Sequence, residues 1–282
     1  MQIKFTLTLK SLNWDCRGNF ENEQATLLSV MEEPEDLQNI FFENCDLTRF
    51  DFGILSQFLN LKFLEIKGGS LIEFTGMPSL PKLEIVTIDN SKFRRWYEPR
   101  LTPKILSITL KNITDDAVMD GIVDSLLFYK NTLHTLKITH TNLTRIPPKV
   151  NQLSKLTTFI YRDNPQTTSL KAGTFPPTFK PETLLITDNN ITTIEAGTFE
   201  GKSHIDSRVI PFAIDHRDSL CTGNFSGNFI SLFGFHLPSL DENVFGPILR
   251  SMDSGKSGQI SFGSESSLII TTMSFRSLKE WT

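Results

Sequence analysis

The chain is poor in cysteine, in long apolar runs and in positive charge, and each shortage removes a class of protein. Cys16, Cys45 and Cys221 are the three cysteines among 282 residues. An odd number cannot all pair within one chain, and three are too few for a disulfide scaffold. Free or buried thiols are therefore expected, with a disulfide at Cys16 left as the alternative. No run of about 18 apolar residues occurs, so no membrane-spanning helix is expected. In the opening MQIKFTLTLK, Lys10 cuts the hydrophobic stretch to about five residues, short of the roughly 7–15 of a secretory leader. A signal peptide is not expected there. The net charge of −4 and pI near 5.8 leave no basic footprint for a nucleic-acid backbone.

Catalytic patterns are also missing. SGKSG at 254–258 has Arg250 where a phosphate loop needs glycine, and GNFSG at 223–227 is one place off a nucleophile elbow. Asp215 to Asp218 flank His216, but neighbouring residues rarely converge on one atom. His134 and His140 straddle one strand and are poorly placed to share a metal. No CxxC, HExxH or paired-carboxylate motif occurs. No enzyme activity, cofactor or metal is expected.

What is present is a core and a repeat. At 39% hydrophobic and 21% charged, the chain has enough apolar material to bury and is not disordered in composition. Leu133, Leu136, Ile138, Leu143 and Ile146 match neither a period of two nor one of 3.6. The same offsets recur at Leu37, Ile40, Phe42, Cys45, Leu47 and Phe50. They recur at Leu61, Leu64, Ile66, Gly69, Leu71 and Phe74, and again at Leu83, Val86, Ile88, Ser91, Phe93 and Trp96. Leu156, Phe159, Tyr161, Asn164 and then Leu184, Ile186, Asn189, Ile191, Ile194 continue the series. A weaker copy runs from Ile230 to Leu240. Successive copies start roughly 22–28 residues apart, the spacing of the leucine-rich repeat, L-x-x-L-x-L-x-x-N/C-x-L.

This spacing has a mechanical origin. The x-L-x-L part is a short strand whose alternate side chains point inward; the chain then turns, and a later apolar residue enters the same core. One repeat cannot bury that face alone, so neighbours stack. The expected fold is an α/β leucine-rich repeat solenoid with a concave parallel β-sheet and a mostly irregular convex side. Strands are expected near residues 40, 64, 86, 108, 136, 159 and 184. The turn position holds Cys45, Gly69, Ser91, Thr141, Asn164 and Asn189. Ile113 and Phe235 cannot bond backbone there, so irregular turns are expected at both. The longest step contains TDDAVMDGIVDSLLFYKN, which reads as a convex helix capped by Thr114. RIPPKVNQL and GTFPPTFKPET read as turns and extended pieces.

Residues 1–36 read as an N-terminal cap with a short helix at EQATLLSVMEE, 37–263 as the repeat array, and 264–282 as a divergent Ser/Thr-rich tail. One poorly patterned repeat is expected within 202–226, and GQISFG reads as a strand.

The phrases AGTFP, EAGTFEG and, above all, LDENVFGPILRSMDSGKSGQISFGS resemble arthropod extracellular leucine-rich repeat proteins. The resemblance is to the family of the oplophorus-luciferin 2-monooxygenase non-catalytic subunit, over roughly residues 10–263. It implies a secreted, non-enzymatic protein with a cysteine-containing cap at each end of the array. Cys16 in LNWDCRGN matches the first cap. ESSLIITTMSFRSLKEWT departs from the second.

A ligand is expected on the outward strand positions. One column reads Glu65, Thr87, Thr109, Lys137, Ile160, Leu185; the next Lys67, Asp89, Lys111, Thr139, Arg162, Thr187; a third Gly68, Asn90, Asn112, His140, Asp163, Asp188. Lys111, Lys137, His140, Arg162, Asp163 and Asp188 are the candidate contacts for a protein partner. Asn112, Asn142, Asn190 and Asn224 open sequons and are candidate glycosylation sites. The expected function is a secreted binding or scaffold protein, or a non-catalytic subunit. The alternative is an intracellular leucine-rich repeat adaptor, such as a ubiquitin-ligase substrate receptor.

Overall fold

The computed structural model describes residues 4–8, 10–16, 36–47, 52–74, 80–90, 92–96, 105–176, 178–179, 181, 183–187, 189–198, 228–232 and 258–262. The helix expected at EQATLLSVMEE, the repeat at 202–226 and the turn at Phe235 lie outside these residues. The chain falls into two compact units, Met1–Ile138 and Thr139–Thr282.

In the first unit the strands are β1 (Lys4–Thr8), β2 (Ser11–Asp15), β3 (Asn39–Glu43), β4 (Phe63–Lys67), β5 (Glu73–Phe74), β6 (Ile85–Asp89), β7 (Arg95–Trp96), β8 (Ser107–Lys111) and β9 (Thr135–Thr139). Each long repeat strand begins within about one residue of its expected position. β2 pairs parallel with β3, β3 with β4, β4 with β6 and β6 with β8. β1 runs antiparallel to β2, folding back on it.

A recurring bond sets the rise of this stack. Two consecutive amides at each strand entry donate to one carbonyl of the preceding repeat. Asn39 and Gln38 use Lys10, Phe63 and Lys62 use Gln38, Ile85 and Glu84 use Lys62, Ser107 and Leu106 use Glu84, and Thr135 and His134 use Leu106. The register holds because alternate side chains are buried: Ile40 and Phe42, Leu64 and Ile66, Val86 and Ile88, Ile108 and Leu110, Leu136 and Ile138. Each such side chain contributes about 1.5–3 kcal/mol by leaving water. β2 is an additional rung that the repeat spacing did not reveal: Leu12 and Trp14 are buried, and Trp14 lies 5.6 Å from Phe42.

Cys16 and Cys45 end their strands side by side, with Cα atoms 4.6 Å apart, and form a disulfide. The expectation of free thiols is thus corrected for these two; Cys221 lies outside the described residues.

The expected convex helix is α1, Asp116–Leu126, continued by a 3-10 turn at Leu127–Tyr129. Its cap is Asp115 rather than Thr114: the Asp115 carboxylate accepts the Val118 amide at 2.9 Å. Met119, Ile122, Val123 and Leu126 form its buried stripe. RIPPKVNQL, read as turns and extended pieces, contains a short 3-10 helix, Pro148–Gln152.

The second unit contains β10 (Thr158–Arg162), β11 (Ser169–Leu170), β12 (Thr183–Thr187), β13 (Thr193–Ile194), β14 (Asn228–Leu232) and β15 (Gly258–Phe262). β10 pairs parallel with β12, β11 with β13 and β14 with β15. The last pair contains the strand read in GQISFG.

Candidate binding face

Strand register turns the sequence columns into geometry. In the first unit Asn39, Phe63, Ile85 and Ser107 stand in register along one outward column. Phe41, Glu65, Thr87 and Thr109 form the second, and Glu43, Lys67, Asp89 and Lys111 the third. Lys67 donates to Glu43 at 3.0 Å. That bond, with the nearby Asp89 and Glu65 charges, raises the Lys67 ammonium above its ordinary pKa. Lys137 sits on β9 between buried Leu136 and Ile138, and so faces outward as expected.

Sequence reasoning overlooked the apolar part of this face. Phe41 and Phe63 are half-buried with ring centroids 5.2 Å apart, and Ile85 is 37% exposed. All three occupy x positions of the repeat, where the pattern imposes no residue type; they were detectable by extending the outward columns back to β3. Thr87, Thr139 and Thr187 were expected on the exposed face but are buried, at 8%, 8% and 3% exposed.

The third column of the sequence reading is not a strand column. Gly68, Asn112, His140 and Asp163 of that column, and Asn44 outside it, follow their strands directly and take φ between 54° and 66°, whereas Asn90 is buried and donates to the Gly68 carbonyl. The residues of positive φ are corner residues. A left-handed corner suits Gly, Asn and Asp and strains other L-residues, so His140 is the costly member. Asn112 takes the same corner conformation although Ile113 follows it, buried. Ile113 is thus the buried, apolar occupant of a position that elsewhere holds a small or polar residue.

In the second unit the corner brings candidates together. Asp163 accepts from His140 at 3.4 Å and pairs with Arg162 at 3.2 Å. One carboxylate thus engages both the Arg162 guanidinium and the His140 ring. Asp188 lies outside the described residues. Asn142 and Asn190 are exposed sequon positions, whereas the Asn112 amide donates to the Asp89 carboxylate; Asn224 lies outside the described residues. Among the described residues, no three His, Cys, Asp or Glu side chains are placed to hold a metal ion, and no helix is long and apolar enough to cross a membrane.

No protein-family model and no curated protein matches the chain by sequence. Among solved structures, human trophoblast glycoprotein (5T4, Wnt-activated inhibitory factor 1) superposes with a TM-score of 0.58 at 14% identity, over 90% of this chain and 87% of that one. A leucine-rich repeat protein of Leptospira interrogans superposes with a TM-score of 0.51 at 18% identity, over 93% of this chain and 62% of that one. The chain has a leucine-rich repeat fold. At these identities the likeness concerns the fold alone. The leucine-rich repeat assignment explains why the outward x positions vary freely while the inward positions do not.

Proposed function

We propose that this leucine-rich repeat chain is a non-enzymatic protein that binds a protein partner through the outward face of its strands. It acts outside the cell as a binding or scaffold protein, or as a non-catalytic subunit. The observation that carries this reading is the outward face of β3, β4, β6 and β8, where paired aromatics lie beside in-register charges. An exposed apolar group rimmed by charge is what a partner covers and selects. Lys111 and Lys137 in the first unit, and His140, Arg162, Asp163 and Asp188 in the second, are the proposed charged contacts.

The Cys16–Cys45 disulfide supports an oxidising compartment over the intracellular adaptor. The exposed sequons at Asn142 and Asn190 agree with it, as does the resemblance to the secreted luciferin-monooxygenase subunit family. The proposed organisation remains a cap at 1–36, an array at 37–263 and a tail at 264–282.

The test is capture from the organism's extracellular fluid with wild type and with Lys137→Glu/Arg162→Glu. The variant is expected to recover less of the captured partner, with circular dichroism checking that it stays folded. Equal recovery would count against these contacts.

A further inference from the structure

We propose that the face formed by β3, β4, β6 and β8 receives an amphipathic α-helix of a partner protein, lying across the strands and carrying charges of alternating sign beside an apolar stripe. This rests on the reading of the strand face as a binding surface, and names what it binds.

The charge order is the first reason. Glu43, Lys67, Asp89 and Lys111 are in register on four successive parallel strands, so their signs alternate along one straight column. Exposed pairs such as Lys67–Glu43 gain little from each other and can share a partner's charge. Against this column a partner of one sign meets as much repulsion as attraction. A partner whose signs alternate with the same period meets attraction at each step.

The period is the second reason. Neighbouring strands lie about 4.8 Å apart and a helix rises about 5.4 Å per turn, so a helix along the column presents one side chain per strand. Over three steps the mismatch reaches about 2 Å, within reach of lysine and glutamate side chains. An extended strand repeats its same-side residues at about 6.8 Å and loses register after one step.

The apolar residues are the third reason. Phe41 sits in the column beside the charges, Phe63 and Ile85 sit in the column beyond it, and Phe41 and Phe63 already pack together. A helix whose charges sit on the third column places its next stripe over these rings. The sequence such a helix needs is one charge per turn, at positions i, i+4, i+7 and i+11 in the order Lys, Glu, Lys, Glu, with leucines on the adjoining stripe.

The experiment titrates the intact protein with stabilised helical peptides sharing one leucine stripe. Their charged positions are alternating Lys/Glu, all Lys, or all Glu. Fluorescence anisotropy is expected to show the alternating peptide bound about tenfold tighter than either uniform one. Lys67→Glu/Lys111→Glu makes the column wholly acidic and should transfer the preference to the all-Lys peptide. Phe41→Ser should weaken all three peptides while circular dichroism stays unchanged. Equal binding of the three peptides, or a preference unmoved by Lys67→Glu/Lys111→Glu, would overturn the helix. If no peptide binds but the extracellular capture still recovers a partner, the helix is wrong and the binding surface stands. Failure of both would remove the binding surface as well.

Discussion

The two units close the same corner by different chemistry. After β10 and β12 the turn residues are asparagines. Asn164 accepts the Thr141 amide at 3.0 Å and also the Thr141 hydroxyl; Asn189 accepts the Asn164 amide at 3.0 Å and donates to the Tyr161 carbonyl. After β3 and β4 the equivalent residues are Cys45 and Gly69, and the backbone does the work. Ser70 donates to the Cys45 carbonyl and Leu47 to the Ser70 carbonyl. Buried backbone groups have to be paired, but the partner can be a side chain or another stretch of main chain. The first solution needs a particular side chain. The second needs the absence of one, because a Cβ on Gly69 would lie 1.9 Å from the Cys45 oxygen.

The largest effect should come from forcing one solution into the other's place. Gly69→Ala meets both the Cys45 backbone and a φ of +68°. It is expected to cost about 4 kcal/mol or more, which urea unfolding would show as a collapsed midpoint. A mild effect would mean that the Cys45 carbonyl can move aside and that the main-chain corner is soft.

Next comes the disulfide that anchors this corner. Cys16→Ser/Cys45→Ser opens a link between residues 29 apart and is expected to cost about 3–4 kcal/mol. Calorimetry with and without reductant checks it. Wild type should fall to the variant's value when reduced, and the variant should not respond. An unchanged wild type would show that the hydrogen bonds suffice.

Asn164→Ala tests the side-chain solution. It strands two Thr141 donors, and a loss of about 2–3 kcal/mol is expected, with faster amide exchange at Thr141. No change at Thr141 would mean that water replaces the asparagine and that the two corners differ less than they look.

The smallest effect compares exposed rungs. Lys67–Glu43 links neighbouring repeats in the first unit, and Lys171–Glu195 does so in the second. Lys171 bonds Glu195 at 2.7 Å, and the Ala172 amide adds a second bond at 3.0 Å, which together hold the Glu195 carboxyl below its ordinary pKa. A lowered folded value stabilises above the unfolded pKa and is lost as pH falls through the folded one. Glu195→Gln should therefore lower the melting temperature slightly at neutral pH and not at all in strong acid. A difference that grows in acid would reverse the assignment.

These contrasts also explain what the sequence could reveal. The strands were readable because burial writes their pattern: Leu64 and Ile66, or Leu136 and Ile138, must be apolar whatever the local backbone does. The corners were not, because φ leaves only a faint compositional trace. Gly68, Asn112 and Asp163 looked like one more polar column, although their shared Gly/Asn/Asp character, which Asn44 also has, was the available signal. The Cys16–Cys45 link was hidden by an odd cysteine count and by β2 lying outside the repeat spacing. Of the binding face, the charges at Lys111 and Lys137 were visible as outward positions. Phe41 and Phe63 were not, because an aromatic residue in a strand is usually read as core.

The asparagine corner also gives the second unit a direction. Asn189 satisfies the amide of Asn164, and Asn164 satisfies that of Thr141, so each rung depends on the one after it in the chain. Peeling from the Thr141 side frees acceptor oxygens, which water readily hydrates. Peeling from the Asn189 side strips the partner from a buried amide one rung back, at a cost of about 1–3 kcal/mol for each rung. The corner bonds thus run one way, whereas at the strand entry the Thr183 amide leans back on the Thr157 carbonyl, so loss of the later end strands a corner amide and loss of the earlier end an entry amide.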